Sequence, residues 1–435
     1  MRIDYLGITN FKGFQSCDFA FDRQFTILIG ENGAGKTSAL EALAVAAGSW
    51  FLGLRGYDSR HISPDEVRHV YYPSLNGESA RFEAPHSAIV RAFGVVMGKQ
   101  LTWYRSHSGG RTTIRGAAAI KTIAADVDQR VRNGEEITLP VISYYGAGRL
   151  WQEPRQLKKN AKVKDAQKAM RGAKVSRFEG YDKSVDPRIS VASLISWFAQ
   201  QSWISYQRGA ETALSRAVRQ AIVQCLDEAV EIFFDPVIGE VFVRFSNQEV
   251  QPFSNLSDGQ RVMVAMVADI AKKAALLNPH LGEDVARQSP GLVLIDELDL
   301  HLHPRWQRQI ARNLMQAFPQ IQFICTTHSP QIIGELQPNQ VLMLDHGQVM
   351  TAPETYGRSS GWIMRHLMGT PERNADLDRD LKRAREFFED DDYAAARDLV
   401  QSLRVTYGDD PALLELNAAI DSWDSDLGEG QDGEA

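Results

Sequence analysis

The sequence lacks the features of secreted, membrane-spanning and disulfide-bonded proteins. It has no apolar run of about 18 residues and no basic–apolar leader, so we expect a cytoplasmic protein without membrane contact. Its three cysteines, Cys17, Cys225 and Cys325, lie far apart, which predicts reduced, buried thiols and no zinc site. No heptad repeat separates the two halves of the chain, which excludes a long coiled-coil arm.

Evidence for a metal nuclease is also scarce. The pairs Asp390–Asp392 and Asp424–Asp426 fall in a predicted helical turn and in a tail. Neither pair follows a buried strand, where such a nuclease places its metal ligands, so the sequence disfavours this activity. His301 and His303 are interpreted as part of the motif that precedes them and not as metal ligands.

What the chain does contain is a phosphate-binding loop. Residues 30–37 read GENGAGKT and follow the apolar run FTILIG (25–30), which predicts a buried strand. The glycines allow successive N–H groups to face an anion, and residues 38–48 predict a helix whose N-terminus points at it. We expect Lys36 to reach the β- and γ-phosphates of ATP and the Thr37 hydroxyl to bind Mg²⁺. The other residues of the expected ATP site are Asn32, Gly33, Ala34, Gly35 and Ser38.

A second apolar run, LVLIDE (292–297), predicts a central strand that ends in two carboxylates. Asp296 is expected to hold Mg²⁺, directly or through water. Glu297 is expected to orient and deprotonate the attacking water, a role worth roughly 10²–10⁴-fold in rate. Adjacent carboxylates at strand ends are also common helix caps, and the phosphate loop favours the catalytic interpretation.

Two further motifs accompany this strand. LSDGQR (256–261) precedes a predicted helix, so Ser257 is expected to be its N-cap. The Ser257 hydroxyl and the N–H groups near Gly259 also suit a second anion site, and the two interpretations are compatible. IQFICTTHSP (321–330) predicts another buried strand, after which His328 is either a γ-phosphate sensor or an ordinary loop histidine.

In this order, the motifs resemble those of an ABC-type ATPase head of the SMC/RecF/OLD group. The opening MRIDYLGITNFKGF (1–14) is similar to that group's first strand and turn, and DELDLHLHPRWQ (296–307) to its Walker B and D-loop passage. The resemblance implies an α/β fold with a mixed sheet core, an antiparallel β lobe, a helical lobe and a C-terminal helical appendage. It implies that Asn10 and Lys12 lie near the nucleotide and that Asp299 belongs to the D-loop.

The same resemblance implies self-association around ATP. In this group two copies close on the nucleotide, so the signature of one copy serves the ATP of another. We therefore expect a homodimer or higher homo-oligomer. The signature residues expected to act in trans are Ser257, Asp258, Gly259 and Gln260.

Two softer motifs narrow the resemblance, and one departure weakens it. YYGAGRLW (144–151) and FFEDDDYAAARDLVQSL (387–403) look like the PtuA ATPases of Septu and retron-linked anti-phage systems, which implies a separate HNH-type nuclease partner. The group's glutamine loop is not evident. Its place after the predicted strand 139–146 holds Gly146, Gly148 and Arg149.

The motifs also predict how the chain is organised. Within the insertion, residues 88–108 alternate as a hairpin, and residues 110–136 and 189–235 predict helices. The expected segments are an N-terminal ATPase lobe (1–50), a β-hairpin and helical insertion (51–239), a C-terminal ATPase lobe (240–355), a helical partner-binding appendage (361–423) and an acidic, disordered tail (424–435).

Charge is distributed unevenly, which bears on partners. The chain carries a net charge of −7, yet residues 149–178 hold ten Lys and Arg residues against Glu153 and Asp165. This segment is either a solvated loop, a contact for the backbone of DNA or RNA, or a docking site for the acidic tail of a neighbour. The candidate nucleic-acid contacts are Arg155, Lys158, Lys159, Lys162 and Lys164.

Two functions fit these expectations. In the first, the chain is the ATPase subunit of a bacterial defence complex and regulates or scaffolds a separate nuclease. In the second, it is a repair or maintenance ATPase of the RecF/SMC kind that acts on DNA ends or gaps.

Overall fold

The computed structural model describes residues 1–57, 59–72, 81–83, 87–108, 110–149, 176–226, 228–345 and 347–429. The chain divides into two compact units, Met1–Arg358 and Ser359–Ala435. The described strands are β1 (Arg2–Phe11), β2 (Phe14–Ala20), β3 (Phe25–Ile29), β4 (Val70–Tyr72), β5 (Arg81–Glu83), β6 (Ala88–Val96), β7 (Lys99–Ser108), β8 (Arg111–Thr113), β9 (Val141–Tyr145), β10 (Ala229–Asp235), β11 (Glu240–Phe245), β12 (Val250–Pro252), β13 (Gly291–Ile295), β14 (Ile321–Thr326), β15 (Val341–Asp345) and β16 (Gln348–Thr351). The described helices are α1 (Lys36–Ala47), α2 (Ala118–Arg132), α3 (Val191–Arg208), α4 (Ala213–Cys225), α5 (Asp258–Leu277), α6 (Val285–Gln288), α7 (Pro304–Ala317), α8 (Pro330–Ile333), α9 (Ser360–His366), α10 (Ala375–Glu389), α11 (Tyr393–Tyr407) and α12 (Pro411–Glu429).

A six-stranded sheet forms the core of the first unit. Its order is β16-β15-β3-β14-β13-β9, and every neighbouring pair is parallel except β15 with β16. Strands β3, β9, β13 and β14 are buried at every residue, as expected of strands covered on both faces. Because parallel strands end at the same edge, the segments that follow these four strands meet there.

A second, antiparallel sheet has the order β2-β1-β6-β7-β8. The predicted hairpin over residues 88–108 is confirmed, since β6 pairs with β7 up to Val96 opposite Lys99. Its two turn residues, Met97 and Gly98, both have positive φ, at 49° and 78°, as tight hairpin turns require. The sheet is tied to α1, because the Trp103 indole donates to the Ala46 carbonyl at 3.0 Å.

The helical prediction for residues 189–235 is right for α3 and α4 and wrong for 229–235, which form strand β10. This strand pairs with β11, and Phe233 stacks on Phe242 with ring centroids 5.8 Å apart. A seven-residue run rich in β-branched and aromatic residues fits a strand once a partner is available, and pairing overrides local periodicity. The helix predicted over 110–136 likewise begins only at Ala118, after the short strand β8.

The three cysteines are buried and free, which confirms the predicted burial. Burial raises the pKa of the Cys17 thiol to about 11 and that of Cys225 to about 12. Thiols with such high pKa values are protonated at neutral pH and react slowly. None of the described helices combines the length and the apolar character needed to cross a bilayer.

In the second unit, α10, α11 and α12 pack around an apolar core. The buried residues of this core are Leu377, Leu381, Ala384, Ala396, Val400, Leu403, Ala412, Leu413, Leu416 and Ile420. The prediction of disorder over 424–435 is wrong for 424–429, because α12 continues to Glu429. A formed helix adds further residues at little cost, so a polar end is carried along. Residues 430–435 lie outside the described residues.

Candidate functional site

The loop between β3 and α1 has a backbone that only glycine readily adopts. Gly30, Gly33 and Gly35 have φ values of 148°, 86° and 105°. A Cβ atom at Gly30 would lie 2.3 Å from the Leu344 carbonyl oxygen, and one at Gly35 would lie 2.5 Å from Cζ of Phe14. The loop is therefore shaped by close backbone approach as well as by positive φ, as a phosphate cradle requires.

The start of α1 concentrates positive charge at this loop. No side chain caps its first N–H groups, and its first turn contains no acidic residue. Lys36 is 6% exposed, and its ammonium donates to the carbonyls of Gly30 at 2.8 Å and Glu31 at 3.0 Å. Burial lowers the pKa of Lys36, while the carboxylates of the site oppose this shift. Free N–H groups and a buried ammonium together favour an anion here.

Asp296, directly after β13, faces the other side of the loop. Hydrogen bonds hold the Asp296 carboxylate in place. The Thr37 hydroxyl donates to its two oxygens, Oδ1 at 3.1 Å and Oδ2 at 3.0 Å. The Thr326 hydroxyl donates to Oδ1 at 2.7 Å. Thr37 and Asp296 are thus brought together from motifs 259 residues apart.

Glu297 follows in a left-handed conformation, with φ at 52°. Its N–H donates to the Thr326 hydroxyl at 2.8 Å, and the Leu298 N–H donates to the Thr326 carbonyl at 2.8 Å. Burial raises the pKa of Glu297 to about 7, and Asp299 and Asp296 add to the rise. A carboxylate with this pKa is suited to accepting a proton near neutral pH.

His328, after β14, lies next to Glu297. Its Nε2 is 3.6 Å from Oε1 of Glu297. Burial lowers the pKa of His328, with Lys36 contributing, so the neutral imidazole is favoured at neutral pH. Asp299 anchors this segment, because its Oδ1 accepts from the His328 N–H at 3.2 Å and from the Thr327 hydroxyl.

The LSDGQR segment caps α5. The Ser257 hydroxyl accepts from the Gln260 N–H at 3.3 Å, and the Gln260 side-chain oxygen accepts from the Ser257 N–H at 3.0 Å. Ser257 is exposed, and Asp258 pairs with Arg261 within the same turn. Gly259 is buried, and a Cβ atom there would lie 2.3 Å from the His301 carbonyl oxygen. The N-cap prediction for Ser257 is confirmed.

Arg149 is a residue that sequence reasoning noted but did not assign to the site. It is 1% exposed, and its guanidinium donates to the carbonyls of Asp296 at 2.7 Å, Glu297 at 3.0 Å and Gly146 at 3.3 Å. Burial lowers its pKa to about 10, so it stays cationic at neutral pH. The sequence feature that could have assigned Arg149 to the site is its position just after a predicted strand, where the glutamine loop was expected.

Two protein-family models match this chain. One, described as an AAA domain, matches residues 5–196, and the other, described as "AAA domain, putative AbiEii toxin, Type IV TA system", matches residues 128–334. The two AAA-domain models overlap and together span residues 5–334. The matched regions include the phosphate loop, the strand that ends at Asp296 and the segment at His328.

Proteins similar to this chain include retron and Septu proteins. The "Retron Ec83 probable ATPase" of Escherichia coli is 26% identical over 98% of this chain and 88% of its own length. The "Septu protein PtuA" of Bacillus mycoides is 26% identical over 79% of this chain, and that of Bacillus thuringiensis is 26% identical over 42%. These matches span 40% and 49% of the two PtuA proteins. The resemblance proposed from the sequence motifs is confirmed.

Among solved structures, the chain is similar to an SMC head bound to the C-winged helix domain of ScpA. The TM-score is 0.45 at 17% identity, over 81% of this chain and 98% of that one. The architecture described above, a mixed sheet core with an antiparallel sheet, helices and C-terminal helices, agrees with the predicted α/β class.

The donor set of the site fits a nucleoside triphosphate with Mg²⁺. The cradle at Gly30 and Gly35 leaves no room for side chains, and Lys36 adds the cation that phosphates require. The Thr37 hydroxyl and the Asp296 carboxylate are hard oxygen donors, which Mg²⁺ prefers, and they are the residues that would hold it. When bound, Mg²⁺ neutralises charge that develops on the phosphates.

The other expected nucleotide residues lie on or beside the loop. Asn32 and Gly33 are exposed, and Ala34 and Ser38 are half-buried. Asn10 donates to the Ser87 carbonyl at 3.2 Å, and the Lys12 ammonium pairs with Glu41, one helical turn beyond Thr37 on α1. The N-terminal turn therefore lies against the helix that begins at the phosphate loop.

The remaining candidates fall elsewhere. Arg155, Lys158, Lys159, Lys162 and Lys164 lie outside the described residues, as does most of the basic segment 149–178. His303 caps α7 by accepting from the Arg305 N–H at 3.3 Å, and Asp392 caps α11. Within the described part of the chain, no group of three or more His, Cys, Asp or Glu side chains is placed to hold a metal ion.

Proposed function

We propose that this chain is the ATP-binding and ATP-hydrolysing ABC-type subunit of a bacterial anti-phage defence complex, where it regulates or scaffolds a separate HNH-type nuclease. One observation carries the ATPase part: Thr37, Asp296, Glu297 and His328 converge beside Lys36 at one edge of the sheet. The defence part is supported by similarity to retron and Septu proteins along most of the chain.

Each side chain has a role in hydrolysis that its environment supports. Lys36 and the free N–H groups of α1 neutralise the phosphates. Glu297, with its raised pKa, accepts a proton from the attacking water. His328 lies close enough to Glu297 to contact the same reacting region and, as a neutral imidazole, donates a hydrogen bond to the γ-phosphate.

The proposed active form is a pair of copies closed around ATP. Ser257 is exposed and its helix N-terminus is held ready by the Gln260 cap, so the signature turn is available to a second copy's nucleotide. In a two-fold arrangement, the signature turn of each copy meets the phosphate loop of the other, so each copy completes the other's site. Binding of DNA or RNA by the basic segment is part of the proposal, with Arg155, Lys158, Lys159, Lys162 and Lys164 as contacts.

A phage challenge tests the proposal. The chain, expressed together with its neighbouring genes in a sensitive host, is expected to reduce plaque formation. Glu297→Gln and deletion of a neighbouring nuclease gene should each abolish the reduction. Glu335→Gln is the matched control, because Glu335 pairs with Arg308 and Arg312 away from the site. If Glu297→Gln reduced plaque formation as much as the wild type does, a defence role for hydrolysis would be contradicted.

A second candidate function is DNA repair or maintenance. It is favoured by a short match to the "DNA replication and repair protein RecF" of Oceanobacillus iheyensis, 42% identical over 45 residues, which is 10% of this chain and 12% of that protein. This function predicts ATP turnover that rises on gapped or ended DNA in the absence of any neighbouring nuclease. Turnover that depends on a co-expressed nuclease would favour the defence function instead.

A further inference from the structure

The backbone at Asp296 and Glu297 leaves two carbonyls outside the sheet. Strand β13 ends at Ile295, and Glu297 then takes a left-handed φ of 52°, which is uncommon for a residue with a side chain. The N–H groups of Glu297 and Leu298 donate to Thr326, and the Asp296 N–H donates to the Tyr145 carbonyl at 2.7 Å. The Glu297 carbonyl accepts from the Leu300 N–H at 3.1 Å, whereas none of these backbone contacts reaches the Asp296 carbonyl. A strained turn of this kind persists only when its surroundings fix it.

Arg149 meets both carbonyls with one planar group. Nη1 donates to the Asp296 carbonyl at 2.7 Å and Nη2 to the Glu297 carbonyl at 3.0 Å. The fork of a guanidinium suits two neighbouring acceptors, which the single ammonium of lysine does not match. The third acceptor is the carbonyl of Gly146. Among the described residues Nε has no partner and the guanidinium donates to no carboxylate, so the contacts of this group are with the backbone.

The loop that carries Arg149 is itself held in place. The Gly146 N–H donates to the Pro187 carbonyl at 2.9 Å, and the Ile189 N–H donates to the Arg149 carbonyl at 2.9 Å. A Cβ atom at Gly146 would lie 2.7 Å from Cβ of Pro187, so the two segments are in close contact. The backbone that carries the Arg149 guanidinium is therefore held in a fixed position.

We infer that Arg149 is a positioning residue for ATP hydrolysis, which holds the Asp296–Glu297 turn so that the Glu297 carboxylate keeps its orientation toward the attacking water. The inference rests on the proposed function, because it assigns Glu297 the role of base. Arg149 acts through Glu297 and not on the phosphates. Its loss should therefore lower turnover without a matching loss of ATP binding.

Steady-state kinetics test this inference with a matched arginine. Arg177 also braces carbonyls, those of Leu277 at 2.8 Å and Ile137 at 2.5 Å, away from the site. We expect Arg149→Met to lower kcat by about 100-fold, because a small misplacement of a catalytic group costs this much, with KM for ATP changed by less than about 3-fold. Arg149→Lys should fall in between, and Arg177→Met should keep the wild-type kcat.

Hydrogen–deuterium exchange without nucleotide gives a second readout that needs no turnover. The peptide spanning residues 292–300 should exchange faster in Arg149→Met than in the wild type, and Arg177→Met should leave it unchanged. If the wild type hydrolyses no ATP, the proposed function fails, while this exchange still decides whether Arg149 braces the turn. Wild-type kcat in Arg149→Met, unchanged exchange, or an equal kcat loss in Arg177→Met would each overturn the inference.

Discussion

The roles proposed for Lys36 and Glu297 at the nucleotide differ. Lys36 is a buried cation at the phosphate loop, whereas Glu297 is a half-buried carboxylate beyond it, with its pKa raised to about 7 by desolvation and by Asp299 and Asp296. The first therefore belongs to binding and the second to chemistry. Substituting each in turn separates the two steps.

Lys36→Ala should prevent ATP binding. The substitution removes at least two charge-assisted hydrogen bonds of about 1.5–3 kcal/mol each, so we expect an affinity loss of roughly 100-fold or more. Titration calorimetry with a non-hydrolysable analogue measures it, with the exposed Lys121→Ala as the control. Wild-type affinity in Lys36→Ala would remove Lys36 from the site.

Glu297→Gln should bind ATP and stall before hydrolysis. The amide keeps the size of the side chain but accepts no proton, so turnover should fall by about 10²–10⁴-fold. Phosphate release and analogue binding, measured on the same preparation, give the two halves of the result. Unchanged phosphate release would exclude Glu297 as the base.

Site residues that belong to a short sequence motif could be predicted from the sequence. A site residue that is identified only by its tertiary contacts could not. Lys36 and Thr37 lie in a loop motif whose residues are close in both sequence and space. Asp296 directly follows a buried strand, which also marks its position in the sequence. Arg149 begins a basic run, and the same letters describe a solvated arginine and one that is 1% exposed. Its role became visible only when β9 was placed beside β13.

At the scale of elements, apolar period and length decide what can be predicted. The buried strands β3, β13 and β14 are short, apolar and bounded by turns, so they are evident in the sequence. Strand β10 is ambiguous because its residues are mostly half-buried and follow a helix directly. Its strand conformation is stabilised by pairing with β11, and the local sequence pattern does not predict this pairing.

The helix α5 makes a prediction about assembly. Ser257→Arg should place a long cation where a second copy's phosphates would approach, and so block closure by bulk. We expect the wild type to double in mass in non-hydrolysable ATP and Ser257→Arg to stay monomeric. Because Ser257 caps α5, its loss should cost about 0.5–2 kcal/mol and lower the melting temperature by only a few degrees, which leaves the monomer folded. Light scattering after size exclusion measures this, with the exposed Ser402→Arg as the control. A wild type that stays monomeric in the analogue would contradict the closed pair.

At the scale of the whole molecule, the two compact units suggest separate tasks. The second unit, Ser359–Ala435, has its own apolar core. Large apolar side chains nevertheless remain on its surface, with Val405 89% and Trp423 51% exposed. Such surface residues suit contact with another protein.

A chain ended at Arg358 should therefore keep ATPase activity and lose co-purification with a nuclease encoded beside it. The candidate residues of the nucleotide site all lie in the first unit, so hydrolysis has no direct need of the second. Affinity pull-down of the nuclease and phosphate release are the two measurements. A shortened chain that still retains the nuclease would contradict partner binding by this unit, and an insoluble one would indicate that the unit braces the first.

Gly259 leaves no space between the start of α5 and the chain beyond Asp299, since even a methyl group would meet the His301 carbonyl. We expect a shift of the signature turn to move this carbonyl as well. Asp299, whose Oδ1 accepts from the His328 N–H at 3.2 Å, connects that segment to His328 in the same chain. In a closed pair, the nucleotide held by one copy is thereby sensed at the catalytic edge of the other. If the proposed pair forms, we expect its two sites to respond cooperatively, so that phosphate release rises steeply with ATP concentration and gives a Hill coefficient that approaches about 2.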